Sequence, residues 1–519
     1  MSHSQPPGPT YSTHFLTRIV LSALFVIAAG WYASSLAAGS PTLLIIASMF
    51  AAYMAMNIGA NDVANNVGPA IGARALTMTA AIVLAGIMEA AGSLLAGGDV
   101  VGTVKGDIIN PANISDPQVF IWLMMAALLA GALWLNLATA LGAPVSTTHS
   151  IVGGVLGAGI AAGGWDIANW SKLQEIAMSW VVSPVMGGVI AAAFLFFIKH
   201  SITYQSDMRA AAQRVVPLLT ALMAWAFSAY IITKGLRQLV KVDMLPAMGI
   251  GVVVGFIAWL AMNRFVRGTA ATLSNDKESV NKLFVIPLIC SAALLSFAHG
   301  ANDVANAIGP LAAIYDALSQ ATVAAKAAIP LWVMMIGALG LVVGLALYGP
   351  KLIQTVGSEI TELDQMRAFC IAMSAAVTVL IASHLGLPVS STHIAVGGVF
   401  GVGFLREMIK ASYNRKILEI EAHHQGEDRA VVEAFLQKFE TAPVIEQGRM
   451  LEELKQRNKS NSPALLNKDE RKQLKKIHQQ QLVKRSILFK IAAAWLITVP
   501  ASALLAATIF FTIRGIMLP

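Results

Sequence analysis

The sequence predicts an all-α, polytopic membrane protein of about twelve transmembrane segments, arranged as two inverted repeats with broken or re-entrant helices. Three observations lead there. Of the 519 residues, 56% are hydrophobic and only 12% charged, against about 25% charged in a soluble domain. Apolar stretches long enough to cross about 30 Å of hydrocarbon recur along the chain. Two polar motifs each occur twice at a nearly constant offset.

The apolar stretches run at 16–38, 42–70, 77–97, 118–141, 144–163, 176–198, 213–233, 246–264, 284–309, 327–349, 367–387, 388–405 and 487–514. Stretches 118–141 and 144–163 are separated only by a Gly-Ala-Pro kink, so some of them are expected to be broken or re-entrant rather than full spans. Residues 1–39 hold an N-terminal segment and a first transmembrane helix, with a cleaved signal as the alternative. A first transport repeat is expected at 40–200, linking helices at 201–283, a second repeat at 284–405, and a C-terminal transmembrane helix at 487–519. Between them, 406–486 is hydrophilic: Arg406 to Arg485 hold 17 of the 36 Lys and Arg residues. Arg406 and Lys410 at one end and Lys484 and Arg485 at the other assign this loop to the cytoplasmic side, because positive charge next to a span resists translocation.

The net charge of +8 reads as the basic excess of such loops rather than as a nucleic-acid surface. Cys290 and Cys370 both lie in apolar stretches and offer neither a disulfide framework nor metal spacing.

The first motif, Gly59-Ala-Asn-Asp-Val-Ala-Asn65, recurs letter for letter as Gly300 to Asn306, and each copy runs on to a Gly-Pro, Gly68-Pro69 and Gly309-Pro310. The second, Gly142-Ala-Pro-Val-Ser-Thr-Thr-His149, recurs as Gly386-Leu-Pro-Val-Ser-Ser-Thr-His393. The offsets are 241 and 244 residues, so the chain holds two homologous halves with the same internal layout. In membrane proteins of this kind the site lies at the interface of the halves, near the bilayer midplane.

The chemistry of the two motifs is complementary. A carboxylate at the centre of a span costs about 2.5–3.5 kcal/mol on insertion scales and needs a partner. Asp62 with Asn65, and Asp303 with Asn306, stand three apart on one helix face, with Asn61 and Asn302 beside them. They offer hard oxygen ligands that suit small cations. The neighbouring glycine and Gly-Pro weaken the helix on either side, freeing carbonyls. In the second motif, Pro144 is placed in the first turn of a helix whose start crowds the hydroxyls of Ser146, Thr147 and Thr148, and Ser390, Ser391 and Thr392 repeat the arrangement. Unpaired N–H groups and the positive end of the helix dipole make such a start an anion site, with helix capping as the plainer alternative. The glycine-rich run behind it admits a close neighbouring helix. His149 and His393 are accessory candidates that donate to the anion or rest on backbone. His299 occurs in one half only, and Glu89 is the lone acid of its stretch, with a relay or a structural pairing as its alternatives.

Two carboxylates beside an oxyanion repel it by about 3 kcal/mol per charge pair at roughly 5 Å and an effective dielectric of about 20. The motifs together therefore imply entry of cations or protons with the anion. The chain contains neither a His-Glu-x-x-His nor a Gly-Lys-Ser/Thr pattern, which argues against an intramembrane enzyme built on Asp62, Asp303 and the two motif histidines. No cofactor is expected.

With these motifs, from about Ser40 to Leu405, the chain resembles the inorganic phosphate transporter (PiT) family of phosphate permeases. The resemblance implies a secondary symporter of the cytoplasmic (inner) membrane, bacterial in type, importing inorganic phosphate or a metal–phosphate complex by alternating access. It implies phosphate at Ser146, Thr147, Thr148, Ser390, Ser391 and Thr392, and sodium, where used, among Asp62, Asn65, Asp303 and Asn306. The coupling ion, H+ or Na+, stays open, as does a homodimer. A sulfate permease of the same family is the alternative. Membrane lipid is the expected surroundings.

Overall fold

The computed structural model describes residues 10–36, 41–110, 113–114, 116–141, 145–235, 242–320, 329–359, 363–422, 434, 435, 438 and 486–517. Most of the 406–486 loop lies outside them. Among the described residues the chain is almost entirely helical, the one β-bridge joining Ile109 to Ala168, and eleven helices are long and apolar enough to cross a membrane.

In chain order the helices are α1 (Thr10–Ser34), α2 (Pro41–Asn61), α3 (Val63–Gly72), α4 (Met78–Ala96), α5 (Gly98–Gly106), α6 (Pro117–Ala140), α7 (Thr147–Gly163), α8 (Trp170–Ile198), α9 (Met208–Tyr230), α10 (Met244–Ala270), α11 (Lys277–Lys282), α12 (Val285–Asp303), α13 (Ala305–Gln320), α14 (Leu331–Glu359), α15 (Gln365–His384), α16 (Ser391–Ala422) and α17 (Ser486–Met517). Their starts follow local chemistry. Asp116 accepts Gln118 N–H at 2.8 Å ahead of Pro117, Asp207 accepts Ala210 N–H at 2.9 Å, and Asp364 accepts Arg367 N–H at 2.9 Å, each satisfying a donor left over at a helix start.

The packing repeats between the halves. α2 lies against α14 as α12 lies against α4, α7 against α17 as α16 against α8, and α13 against α6 as α3 against α15. Small residues bring the partners together at matching positions. A Cβ on Gly59 would collide with the Leu341 carbonyl, and one on Gly300 with the Glu89 carbonyl. Behind the second motif, the glycine run does admit a close neighbour: Gly157 faces the Ala503 backbone and Gly401 the Gly188 backbone. α6 with α7, and α15 with α16, form two helical hairpins whose tips carry the second motif. The outer surface is apolar: Leu245, Val252, Val253 and Phe256 of α10 are exposed, as lipid-facing residues are.

Several boundaries differ from expectation. Stretch 388–405 is the start of a helix that runs on to Ala422, into the segment read as a loop. α5, absent from the apolar stretches, fills the gap after α4. The second motif's prolines do not open its helices. Pro388 precedes α16 by three residues and Ser390 is the residue at its start, while Pro144 lies outside the described residues. The Gly-Pro pairs do not end a helix either. Pro69 and Pro310 sit inside α3 and α13, and the interruptions fall at Asp62 and Val304 instead. A proline has no N–H to give to the carbonyl four residues back, and here those carbonyls belong to Asn65 and Asn306.

Candidate functional site

The helix interruptions and the two hairpin tips meet at one buried point. Asp62, at the joint of α2 and α3, is 1% exposed, and Asp303, at the end of α12, is 0% exposed. Thr147 Oγ1 donates to Asp62 Oδ2 at 2.8 Å and Thr392 Oγ1 to Asp62 Oδ1 at 3.2 Å. A single carboxylate is thus held by hydroxyls from both halves. Ser391 Oγ donates to Asp303 Oδ2 at 3.3 Å.

The asparagines cross between halves as well. Asn65 Nδ2 donates to Thr392 Oγ1 at 2.8 Å, while Asn306 Nδ2 lies 3.3 and 3.1 Å from the hydroxyls of Thr147 and Thr148. Thr148 in turn donates to the Val389 carbonyl at 2.9 Å, so the starts of α7 and α16 face each other. Asn61 and Asn302 perform a matching task, tying the motif to the far end of the first hairpin arm. Asn61 Nδ2 donates to Thr139 Oγ1 at 2.8 Å, and Asn302 Nδ2 to Ser383 Oγ at 3.0 Å.

Ser146 and Ser390 act as helix caps, their oxygens accepting the N–H of His149 at 3.1 Å and of His393 at 3.3 Å. Each retains a hydroxyl hydrogen to donate. The imidazoles of His149 and His393 pack edge to face with centroids 4.6 Å apart, and His149 also lies 3.9 Å from the Trp180 ring.

The two acids differ in their surroundings. His299 Nε2 is 2.8 Å from Asp303 Oδ2, and its Nδ1 is 2.8 Å from one oxygen of Glu89 and 2.9 Å from the other. Asn66 Nδ2 donates to Glu89 Oε1 at 2.8 Å. Glu89 is therefore a paired acid joined through His299 to the Asp303 side of the site. At the matching place in the other half the glycine contacts put Leu341 opposite Glu89 and Ile58 opposite His299, both apolar.

The donor set fits a small cation. One ligand atom from each of Asp62, His299 and Asp303 lies within 4.8 Å of the others. Asp303 Oδ1, Asn306 Oδ1 and Asn61 Oδ1 are buried acceptors with no hydrogen-bond partner among the described residues. A buried acceptor left bare is costly, and a hard cation satisfies several at once.

Sequence reasoning missed Asn66, which has Ala307 at its place in the other half, and Thr139 and Ser383, which stand at matching places three residues before the second motif but differ in residue type. It also missed the buried ion pair of Lys105 on α5 with Asp316 on α13. The apolar run Val100 to Val104 beside Lys105 was the available signal for a packed helix there.

Comparison with known proteins adds the lineage. The model of the phosphate transporter family matches residues 58–506. The chain belongs to this family. Members of the phosphate transporter family are permeases rather than enzymes, which sets aside the intramembrane enzyme weighed above. A Helicobacter pylori strain J99 protein named as a candidate phosphate permease is 53% identical over 503 residues, covering 95% of this chain and 94% of its own. A Pyrococcus abyssi protein named in the same way is 38% identical over 363 residues, covering 70% of this chain and 89% of its own. Among solved structures, "The sodium-dependent phosphate transporter" is similar at 30% identity and a TM-score of 0.74, covering 92% of this chain and 100% of its own. With eleven apolar helices among the described residues, this member of the family is a multi-pass membrane protein.

Proposed function

We propose that the chain is a secondary symporter that carries inorganic phosphate across the cytoplasmic membrane, coupled to protons or sodium, by alternating access. The observation that carries this reading is the sharing of hydroxyls: Thr147 and Thr392, from opposite halves, both give their hydrogens to Asp62. While Asp62 is a bare anion it holds those donors and repels an oxyanion. A cation or proton on Asp62 removes the repulsion and releases the donors, which then turn to phosphate at the facing starts of α7 and α16. Asp303 and Ser391 repeat the exchange. Coupling follows because each ligand improves the site for the other.

The proposed halves are inverted. Arg74, Arg209, Arg267, Lys277, Arg367 and Arg406 gather at one set of helix ends, whereas Asp107, Asp116, Asp166 and Asp243 mark the other. Positive charge assigns the first set to the cytoplasm. The site is buried from both sides. Toward the acidic ends, residues 386–389 are tied down: Thr103 donates to the Gly386 carbonyl at 2.7 Å and Trp180 Nε1 to the Pro388 carbonyl at 3.1 Å. Toward the basic ends the closure is the Asn61–Thr139 bond.

The test is labelled phosphate uptake into proteoliposomes under imposed proton and sodium gradients, with unlabelled sulfate as competitor. Uptake that neither gradient alters contradicts coupling, and equal competition by sulfate favours a general oxyanion permease. The name of the sodium-dependent neighbour makes sodium the first gradient to try.

A further inference from the structure

Lys199 begins the π-helical turn Lys199–Thr203 that follows α8, among the basic helix ends, and is only 9% exposed. Its side chain has neither an ion pair nor a hydrogen bond among the described residues. The charges beside it are Lys277 at the start of α11 and Arg367 in the first turn of α15, and each repels the ammonium more strongly than the nearby Asp364 attracts it. Asp364 is already engaged. Its Oδ2 lies 2.8 Å from the Arg367 guanidinium and 3.8 Å from Lys277 Nζ, and its Oδ1 accepts the Arg367 N–H at 2.9 Å. Three cations on three elements thus gather around one carboxylate, held there because α8 and α11 both pack against α15. The bias that sets basic residues at cytoplasmic helix ends does not call for a lysine covered by protein. A charge buried without a partner is costly, and a ligand of opposite charge removes that cost.

We propose that Lys199, Lys277 and Arg367 form a second oxyanion site, separate from the buried centre, that takes a phosphate group at the cytoplasmic helix ends. Arg367 offers a planar set of donors suited to a pair of phosphate oxygens, and the two ammonium groups supply point charges for the others. The negative charge of the group offsets the cations that Asp364 leaves uncompensated. Phe196 and Phe197, just before Lys199, are exposed as lipid-facing residues are, so the site lies at the bilayer edge. The phosphate group can therefore belong to a lipid headgroup or to free phosphate. The distance from the transport centre follows from α8 itself. Gly188 meets the Gly397 carbonyl of α16, behind the hydroxyls, and the eleven residues from Gly188 to Lys199 span roughly 16 Å of helix. An occupant ties α8 to α11 and to α15, the hairpin arm that leads to Ser390, whatever the buried centre carries.

The test is thermal unfolding of the full-length protein, Lys199→Met and Lys199→Arg in lipid nanodiscs. In one arm, purely zwitterionic nanodiscs are titrated with inorganic phosphate, with chloride at equal ionic strength as control. In the other, phosphate is absent and the fraction of phosphatidate in the nanodiscs is raised. A ligand of the folded state raises the unfolding temperature, and the buried centre contributes equally in all three proteins, so differences between them read this cluster. The probe level giving half the full rise is expected to increase about tenfold in Lys199→Met in at least one arm, the scale of one hydrogen bond to a charged group, and less than about twofold in Lys199→Arg. A difference confined to the first arm assigns the site to free phosphate, and one confined to the second assigns it to a lipid headgroup. Identical titrations of Lys199→Met and the unaltered protein in both arms, or an equal effect of chloride, overturn the site. Without either probe, Lys199→Met is expected to unfold at or above the temperature of the unaltered protein, because it removes a buried unpaired charge. A lower temperature gives Lys199 a structural role and overturns the proposal. Phosphate uptake by Lys199→Met is expected to persist, and its loss would place Lys199 in the transport path instead. Absence of saturable uptake by the unaltered protein overturns the transport reading and leaves both titrations valid.

Discussion

Asp62 and Asp303 are the residues on which the coupling scheme turns, and they were legible because the chain spells their surroundings twice. Exchange of Asp62 or Asp303 for Asn keeps the shape but removes the charge that gathers a cation and turns one acceptor oxygen into a donor. Either variant is expected to lose gradient-driven phosphate uptake by about 100-fold or more while staying in the membrane, the scale of one buried charge interaction of about 3 kcal/mol. Uptake assays paired with membrane immunoblots check this, and wild-type transport in either variant contradicts the ion-site assignment. The partners of Asp303 were less legible. His299 and Glu89 stand 210 residues apart and have no counterpart in the other half, so only the fold shows them in contact. His299→Ala leaves Glu89 buried without its imidazole. We expect it to lower uptake more than Ile58→Ala at the matching apolar place, as measured side by side in vesicles.

At the scale of elements, the two helical hairpins set where the hydroxyls point. Their existence was foreseeable from the Gly-Ala-Pro kink, but their starts were not, because a capping serine and a first-turn proline compete for the same signal. The serine holds that place in both copies, Ser146 before α7 and Ser390 before α16. The glycines behind the tips allow contact that no larger residue permits. Gly401→Leu is expected to force α16 from α8 and cost about 1–3 kcal/mol or more, read as a lowered unfolding temperature in detergent together with lost transport. Outside the membrane, Asp364 caps α15 and pairs with Arg367 at 2.8 Å. Burial raises its pKa, but Arg367 and Lys277 outweigh burial and hold the carboxyl below its ordinary value. A depressed carboxylate stabilises the fold above its unfolded pKa, and that contribution is lost as pH falls through the folded value. Asp364→Ala is therefore expected to cost about 1 kcal/mol at neutral pH and progressively less in acid, as thermal unfolding at two pH values will show.

On the scale of the whole molecule, the two halves exchange partners across a common centre: Thr392 reaches Asp62 and Asn65, and Asn306 reaches Thr147 and Thr148. The duplicated motifs announced two halves and a shared site. They did not announce which sides of the site are closed, because the closing groups, Thr103, Trp180 and Thr139, lie outside both motifs. Nor did they place α1, legible as the first apolar stretch, which packs against α2 and α14. The central claim is linkage: cation and phosphate compete for no atom, and binding of one frees donors for the other. Phosphate affinity of the purified protein, titrated calorimetrically at a series of sodium and proton concentrations, tests it directly. The account predicts that affinity rises with one of the two cations and that Asp62→Asn flattens the dependence. Phosphate affinity indifferent to both cations would contradict it.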